Sequence, residues 1–219
     1  MVSHQHRCIF VHIPKTAGTS IEKVLGFIDE VAWNAQDHRT IREVEPFAPH
    51  QLRTLLRRRD SYLLKRMRNR AHGLPMATAA QYREYFKFAF VRNSWSRVFS
   101  WYGNVMRDEE HRRRVGLQAE IPLKEFLLRY PEEWGLRTQL YWIADSRGDV
   151  TLDFVGRFEN LDADFAHVCG VLGLPDRALP RLVAGDGRRY VDHYDAESID
   201  IVRRRYAAEI ARFGFEFGQ

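Results

Sequence analysis

The sequence contains few cysteines and no long apolar run, and each shortage argues against a class of protein. Its two cysteines, Cys8 and Cys169, lie far apart in a chain of 219 residues, which argues against a disulfide framework and for a reducing, cytoplasmic setting. No run of about 18 apolar residues is present, so we predict no transmembrane helix. The first residues, MVSHQHRCIF, lack the apolar core of a secretory signal.

Lysine is also scarce: arginine dominates the 34 basic residues, and the net charge is +5. A positive balance favours anionic partners such as nucleotides, acidic glycans or nucleic acid. Hydrophobic residues make up 45% of the chain, which excludes a disordered protein. The densest basic runs lie in segments with helical patterns, where we expect solvent-exposed faces. These runs are Arg57–Arg59, Arg112–Arg114 and Arg203–Arg205.

Three short apolar runs are typical of buried strands: CIFVHI (Cys8–Ile13), FKFAFV (Phe86–Val91) and LDFVGRF (Leu152–Phe158). Each is followed by apolar residues at helical spacing. This repetition of strand and helix predicts an α/β fold with a mostly parallel sheet. We interpret residues 1–219 as one domain. An arginine-rich, helical insertion at about 40–85, with a loop near residues 72–75, is expected to cap the substrate side.

The first polar motif, HIPKTAGTS, directly follows the first predicted strand. Ligands of α/β folds bind at the carboxyl edge of the sheet, where this loop would lie. Gly18 lets the backbone approach an anion, Lys15 supplies a positive charge, and Thr16, Thr19 and Ser20 supply hydroxyl donors. The motif therefore predicts phosphate binding. The alternative is an ordinary turn with a Thr or Ser helix cap.

The second motif, FVRNSWSRVFSWY, follows the second predicted strand. Arg92 lies where the strand ends, and Ser100 lies two helical turns later. A guanidinium and a hydroxyl in this relation can bind one phosphate together. The alternative is that Arg92 and Arg97 pair with carboxylates while the aromatic residues pack.

Taken together, the two motifs resemble those of sulfotransferases that use 3′-phosphoadenosine 5′-phosphosulfate, in particular the carbohydrate sulfotransferase branch with a family 2 domain, common in bacteria. The resemblance extends to DFVGRFENLDADFAHVCGVLGL (Asp153–Leu174) and YAAEIARFGFEF (Tyr206–Phe217), and leaves mainly residues 40–83 uncovered. It implies a P-loop-like, three-layer α/β/α fold. It also implies a metal-independent enzyme that transfers a sulfuryl group in line to a hydroxyl of a carbohydrate or glycan-bearing acceptor.

The resemblance also implies roles for individual residues. Arg92 and Ser100 match the pair that holds the 3′-phosphate. Ser94 and Ser96 depart from the usual Pro and Asp, and Ser94 is expected to cap the following helix instead. Lys15 is expected to neutralise the charge that grows on the leaving phosphate. The residues that match the loop around the 5′-phosphosulfate are Lys15, Thr16, Gly18, Thr19 and Ser20.

The acceptor hydroxyl requires a base, and His38 is our candidate, because similar enzymes carry a histidine after the first helix. A neutral imidazole can take a proton from an alcohol. The alternative is a helix-capping or surface histidine. Glu22 and Glu43 are the fallback bases. His12 is interpreted as a residue that braces the loop, and Glu159 as a structural one.

A basic loop near the C-terminus, GDGRRYVDHYD (Gly185–Asp195), is expected to close over the nucleotide through Arg188, Arg189 and Tyr190. The alternative is an ordinary surface loop.

Two functions other than sulfuryl transfer are alternatives for this chain. A P-loop kinase is disfavoured because the chain lacks the Gly-Lys-Ser/Thr sequence that such loops carry. A non-catalytic nucleotide-binding or polyanion-binding domain is the second alternative. We expect no nucleic-acid partner, because aromatic residues are not regularly interleaved with the arginines.

Overall fold

The sheet has four strands in the described part of the chain, and their order follows the sequence. The computed structural model describes residues 1–28, 36–51, 61–175, 178–180, 182 and 187–219. The strands are β1 (Val2–Ser3), β2 (Cys8–Val11), β3 (Phe86–Val91) and β4 (Phe154–Arg157). β1 is antiparallel to β2, whereas β2, β3 and β4 are parallel neighbours. The carboxyl ends of the three parallel strands therefore meet at one edge.

Helices cover both faces of this sheet. They are α1 (Gly18–Val24), α2 (Ile41–Val44), α3 (Tyr62–Ala71), α4 (Ala79–Glu84), α5 (Ser94–Arg107), α6 (Glu109–Val115), α7 (Leu123–Arg129), α8 (Gln139–Ile143), α9 (Leu161–Leu172), α10 (Ala196–Arg205) and α11 (Ala207–Phe213). Short 3₁₀ turns occupy Trp134–Leu136, Phe158–Asn160 and Tyr190–His193. No helix in these described ranges is long and apolar enough to cross a membrane.

Each face of the sheet has its own core because successive strand residues point to opposite sides. On one face, phenylalanines of β2 and β3 pack against α1 and α9, and the rings of Phe10 and Phe88 stack with centroids 5.0 Å apart. On the other face, aliphatic residues such as Ile9 and Val91 pack against α2, α5, α7, α8 and α10. The protein thus has the three layers, α/β/α, that were predicted.

All three predicted strands are confirmed, and two predictions about helices need comment. Apolar residues recur at helical spacing from Ile199 to Phe213 and predict one helix near the C-terminus. The structure has two helices there, because the chain breaks at Tyr206 between α10 and α11. The Tyr206 hydroxyl donates to the carbonyl of Leu136 over 2.5 Å, which fixes this break in the core. The segment at 40–85 is helical where it is described: it contains α2, α3 and α4, and the predicted loop separates the last two.

In two of the three arginine triplets, two residues are solvent-exposed, as predicted, whereas Arg112 and Arg205 are half-buried. In α6, Arg113 and Arg114 pair with glutamates one helical turn earlier. In α10, Arg203 and Arg204 both pair with Asp200. The triplet nearest the N-terminus lies outside the described residues.

Candidate functional site

The ends of the three parallel strands bring three segments of the chain together. The loop that begins at His12 follows β2, Arg92 follows β3, and Phe158 follows β4. The guanidinium carbon of Arg92 lies 4.0 Å from the centroid of the Phe158 ring. Its Nη1 donates to the backbone carbonyl of Lys15 over 3.3 Å. Lys15 and Arg92, which belong to separate sequence motifs, therefore lie side by side at the edge of the sheet.

The loop between β2 and α1 turns through an unusual backbone conformation. Lys15 and Ala17 have φ angles of 70° and 65°, in a region that costs an ordinary L-residue about 1–2 kcal/mol. Gly18 begins α1 directly against His12, where an added Cβ would lie 1.9 Å from the imidazole ring. Left-handed turns of this kind can gather backbone N–H groups into a concave anion site. The loop conformation is therefore suited to an anion.

The three hydroxyls of this loop have different surroundings. Thr16 is buried and donates to the carbonyl of Ile13 over 2.9 Å. Ser20 donates to the carbonyl of Pro180 over 2.6 Å. Thr19 is half-buried, and its hydroxyl has no hydrogen bond to any residue the structure describes. Thr16 and Ser20 thus hold the loop in shape, while Thr19 can donate to a ligand; the phosphate contacts of all three remain predictions.

Arg92 is held in place by two side chains. Its Nε donates to the Ser96 hydroxyl over 2.9 Å. The buried amide of Gln139 accepts from the Arg92 backbone N–H over 2.7 Å and donates to the Arg92 carbonyl over 2.8 Å. Burial lowers the pKa of Arg92 to about 10, an effect that nearby Glu159 opposes. Arg92 therefore stays cationic at neutral pH, and it forms no ion pair within the described ranges.

The prediction that Ser94 caps α5 is wrong. The cap is Asn93, whose side chain accepts from the backbone N–H groups of Trp95 and Ser96. Ser94 instead donates from its buried hydroxyl to Glu209 over 2.7 Å. Glu159 accepts from the Asn93 N–H over 2.7 Å, so it supports the helix start, in agreement with its interpretation as structural.

Arg97 does not pair with a carboxylate in the part of the chain that the structure describes. It is fully buried and donates to the carbonyls of Gly135 and Arg137 over 2.9 and 2.7 Å. Backbone oxygens thus take the place of the acidic neighbour that Ser96 does not supply, and Arg97 Nε has no hydrogen-bond partner among the described residues. The alternative stated for the second motif, in which Arg97 pairs with a carboxylate, is therefore contradicted.

A cavity of about 300 Å³ opens beside Arg92. Its lining combines cationic and aromatic residues with Ser96. It comes from three parts of the sequence: residues 92–99, the loop near the C-terminus, and residues 218–219. The loop near the C-terminus, described from residue 187 onward, contributes four of the lining residues. Ser100 is not among them, although it lies one turn beyond Ser96 on α5. The lining includes Arg92, Ser96, Phe99, Arg188, Arg189 and Tyr190.

A buried cluster of titratable groups lies on the other side of the loop. His12 Nδ1 is 2.8 Å from Glu22 Oε1, and both side chains are almost fully buried. Burial lowers the pKa of His12 to about 3 and raises that of Glu22 to about 7. Glu22 Oε2 has no hydrogen-bond partner among the described residues. His12 therefore braces the loop, as interpreted from the sequence, and Glu22 is poised to change charge near neutral pH.

His38 joins this cluster and is neither a helix cap nor a surface residue. Its ring centroid lies 4.0 Å from that of His12, and its Nδ1 lies 3.1 Å from the His12 carbonyl oxygen. The cap of α2 is Thr40, in a capping box with Glu43. Burial lowers the pKa of His38 to about 3, as does the neighbouring His12. At neutral pH His38 is therefore an uncharged imidazole, the form required of a general base.

The fallback base Glu43 is less suited to proton transfer. Its Oε1 accepts from Thr40 and its Oε2 from Asn69, so both oxygens are occupied.

Among the residues described, no group of three or more His, Cys, Asp or Glu side chains is arranged to hold a metal ion. His4, in the HxHxC spacing near the N-terminus, contacts the hydroxyl of Tyr85 over 3.1 Å.

Several residues of the site were not predicted from the sequence. Ser96 and Phe158 contact Arg92 directly, Gln139 fixes its backbone, and Trp134 lies against His38. Of these contacts, only that of Ser96 could have been predicted from the sequence, because Ser96 lies four residues after Arg92. Gln139 lies 47 residues from Arg92 and belongs to a short helix without a distinctive pattern.

Comparisons with known proteins identify the family to which the chain belongs. The model of a family described as the sulfotransferase family matches residues 1–216. Carbohydrate sulfotransferase 14 of Danio rerio is 22% identical over 203 residues, which cover 80% of this chain and 48% of that protein. The chain thus spans about half the length of the curated relative it matches. No solved structure matches the chain.

Proposed function

Because the chain belongs to the sulfotransferase family, we propose that it transfers a sulfuryl group from 3′-phosphoadenosine 5′-phosphosulfate to a hydroxyl of a carbohydrate or glycan-bearing acceptor. The observation that carries the proposal is the contact of Arg92 with the Lys15 carbonyl. It joins the two motifs into one cationic site, with a neutral histidine, His38, in the cluster beside the same loop. The name of the zebrafish relative supports a carbohydrate as the acceptor.

The donor carries two phosphate groups, and the site offers two cationic regions. The loop with Lys15 and Thr19 is suited to the 5′-phosphosulfate. Arg92 and the arginines of the adjoining cavity are suited to the 3′-phosphate, since a guanidinium binds phosphate through two parallel hydrogen bonds. The rings of Phe99 and Tyr190 give the same cavity apolar surface, which is suited to a nucleobase.

The transfer requires a proton acceptor at the acceptor hydroxyl. The Nδ1 of His38 lies against a carbonyl oxygen, which can only accept, so Nδ1 carries the proton and Nε2 has the free lone pair. We assign Nε2 as the atom that takes the hydroxyl proton while the oxygen attacks sulfur. The new sulfur–oxygen bond forms as the bond to the 5′-phosphate breaks, and adenosine 3′,5′-bisphosphate leaves.

Lys15 has the chemistry to stabilise this departure. Burial lowers the pKa of its ammonium to about 8, with further lowering from Arg92 and Arg107, so it is mostly charged at neutral pH. An ammonium that meets negative charge as it develops acts more strongly on the transition state than on the bound donor. We expect Lys15→Ala to reduce turnover more than affinity for the donor.

Thermal shift measurements test this proposal. Adenosine 3′,5′-bisphosphate should raise the melting temperature more than ATP with Mg²⁺ or a short oligonucleotide, because a ligand of the folded state stabilises it by mass action. A larger response to ATP with Mg²⁺ would favour a kinase, and a response to the oligonucleotide alone would favour a polyanion-binding domain. Sulfate transfer from labelled donor to a panel of carbohydrates then tests the activity itself.

A further inference from the structure

An exposed tryptophan lies next to the candidate base. The ring of Trp134 meets that of His38 edge to face, with centroids 5.0 Å apart and an angle of 79° between the planes. The side chain is 38% exposed, whereas the neighbouring Trp101 and Trp142 are buried. Trp134 therefore presents an aromatic surface to solvent beside the imidazole ring of the candidate base.

Two buried tryptophans hold the ring of Trp134 in position. Its ring packs against Trp101 at 5.6 Å and against Trp142 at 5.1 Å between centroids. The next residue, Gly135, lies so close to Trp101 that an added Cβ would come within 2.1 Å of the indole. A large ring held by two buried rings is a preorganised surface, which loses little conformational freedom when a ligand binds.

A guanidinium that pairs with no carboxylate of the described residues lies directly after the same turn. Arg137 stacks on Tyr141, 4.4 Å from the ring centroid, and Tyr141 contacts Trp142. The Arg137 backbone N–H donates to the Trp134 carbonyl over 3.3 Å. Within the described ranges, the Arg137 side chain makes no ion pair or hydrogen bond, so its planar set of donors is available to a carboxylate.

We propose that Trp134 and Arg137 form the acceptor subsite, which binds an acidic carbohydrate with the apolar face of one sugar ring on Trp134 and its carboxylate on Arg137. A pyranose ring exposes C–H groups on its faces and hydroxyls at its edge, so stacking buries the apolar face and leaves an edge hydroxyl toward His38. This assignment deepens the proposed function and rests on it for the role of the bound sugar.

Affinity electrophoresis in native gels that contain hyaluronan, an unsulfated polysaccharide with hexuronate groups, tests the subsite without turnover or donor. Trp134→Leu keeps apolar volume but loses the planar face, and it should bind at least fivefold more weakly. Trp134→Phe should stay within about twofold of the wild type. Arg137→Gln should weaken binding at least fivefold, whereas its charge-matched control on α6, Arg113→Gln, should change it less than twofold.

The outcomes separate this proposal from the function it rests on. Wild-type protein that hyaluronan does not retard, or a Trp134→Leu variant retarded like the wild type with an unchanged melting temperature, would overturn the subsite while stabilisation by adenosine 3′,5′-bisphosphate still stands. Retardation that depends on Trp134 and Arg137 supports the subsite, even if that nucleotide fails to stabilise the protein. If Trp134→Leu unfolds, the comparison of Arg137→Gln with Arg113→Gln decides.

Discussion

The Nδ1 atom of His38 lies 3.1 Å from the backbone oxygen of His12, the residue that directly follows β2. This contact links the candidate base to the same loop that carries Lys15. The ring of His12 in turn packs against Gly18 and contacts Glu22. The position of the base is therefore set by the loop that would hold the donor, so displacement of the loop should also displace the base.

Replacement of His38 by glutamine should reduce turnover by a factor of about 10² to 10⁴, the usual contribution of a general base. Glutamine can still donate a hydrogen bond to the His12 carbonyl but cannot take up a proton. Stabilisation by adenosine 3′,5′-bisphosphate should be unchanged. His167→Gln, at an exposed position on α9, is the matched control. Near-normal turnover in the His38 variant would remove it from the role of base.

The stability of the fold should fall as the pH is lowered from about 6.5 toward 3. The unfolded chain protonates His12 and His38 near their ordinary pKa of 6.5, whereas the fold holds both near 3. The unfolded state therefore binds more protons in this window. Melting temperatures measured against pH should show a shallower acid decline for His38→Gln than for wild type, and His167→Gln serves as the control. Identical declines would mean that His38 titrates normally in the fold.

The ionisation of Glu22 should change the stability of the fold with pH in the opposite direction to that of the two histidines. Burial raises its folded pKa to about 7 from an ordinary 4.5, so the stability that protonated Glu22 contributes is fully present below pH 4.5 and is lost as the pH rises through 7. Glu22→Gln should abolish this part of the pH dependence, whatever its effect on absolute stability. Urea midpoints from pH 5 to 8 give the slope. An unchanged slope would mean that Glu22 is already ionised throughout.

The kcat/KM for the donor should decline above about pH 8, because the free enzyme must hold a proton on Lys15, whose pKa burial lowers to about 8. Lys15→Arg keeps a charge at that position to higher pH, so its alkaline decline should move upward even though its maximal rate is lower. Initial rates at subsaturating donor, from pH 6 to 10, provide the profile. The same alkaline limb in both proteins would exclude Lys15 as its origin.

Arg92→Gln should weaken binding of adenosine 3′,5′-bisphosphate by about 10- to 100-fold, since hydrogen bonds to charged groups contribute about 1.5–3 kcal/mol each. Binding of adenosine 5′-monophosphate, which lacks the 3′-phosphate, should change much less. Calorimetric titration of both nucleotides into both proteins makes the comparison. An equal loss for the two ligands would show that Arg92 does not recognise the 3′-phosphate.

Much of the fold follows from local patterns. The runs that became β2, β3 and β4 are almost continuously apolar because both faces of the sheet are covered, and such runs are visible without any tertiary information. β1 was not predicted, because a strand of two residues shows no periodicity. The proximity of Lys15 to Arg92 was predictable from topology, since parallel strands deliver their following loops to one edge.

The remaining features of the site depend on contacts between distant segments. Trp134 reaches His38 only because a 3₁₀ turn is packed on Trp101 and Trp142. The Ser94 prediction failed for a similar reason. Asn93, whose side chain is an equally good cap, directly precedes Ser94 and caps α5. The Ser94 hydroxyl instead donates a hydrogen bond to Glu209 of α11. Local propensity offered two acceptable caps, and a residue 115 positions away decided between them.

Gly135 limits how this protein can be altered. With no space for even one methyl group against Trp101, position 135 is closed to substitution, while the residues around it, Trp134 and Arg137, project from the same rigid turn. A library that randomises positions 134 and 137 but leaves 135 untouched would therefore vary acceptor choice on an intact scaffold. The turn offers a route to new acceptor preferences that leaves the donor site unaltered.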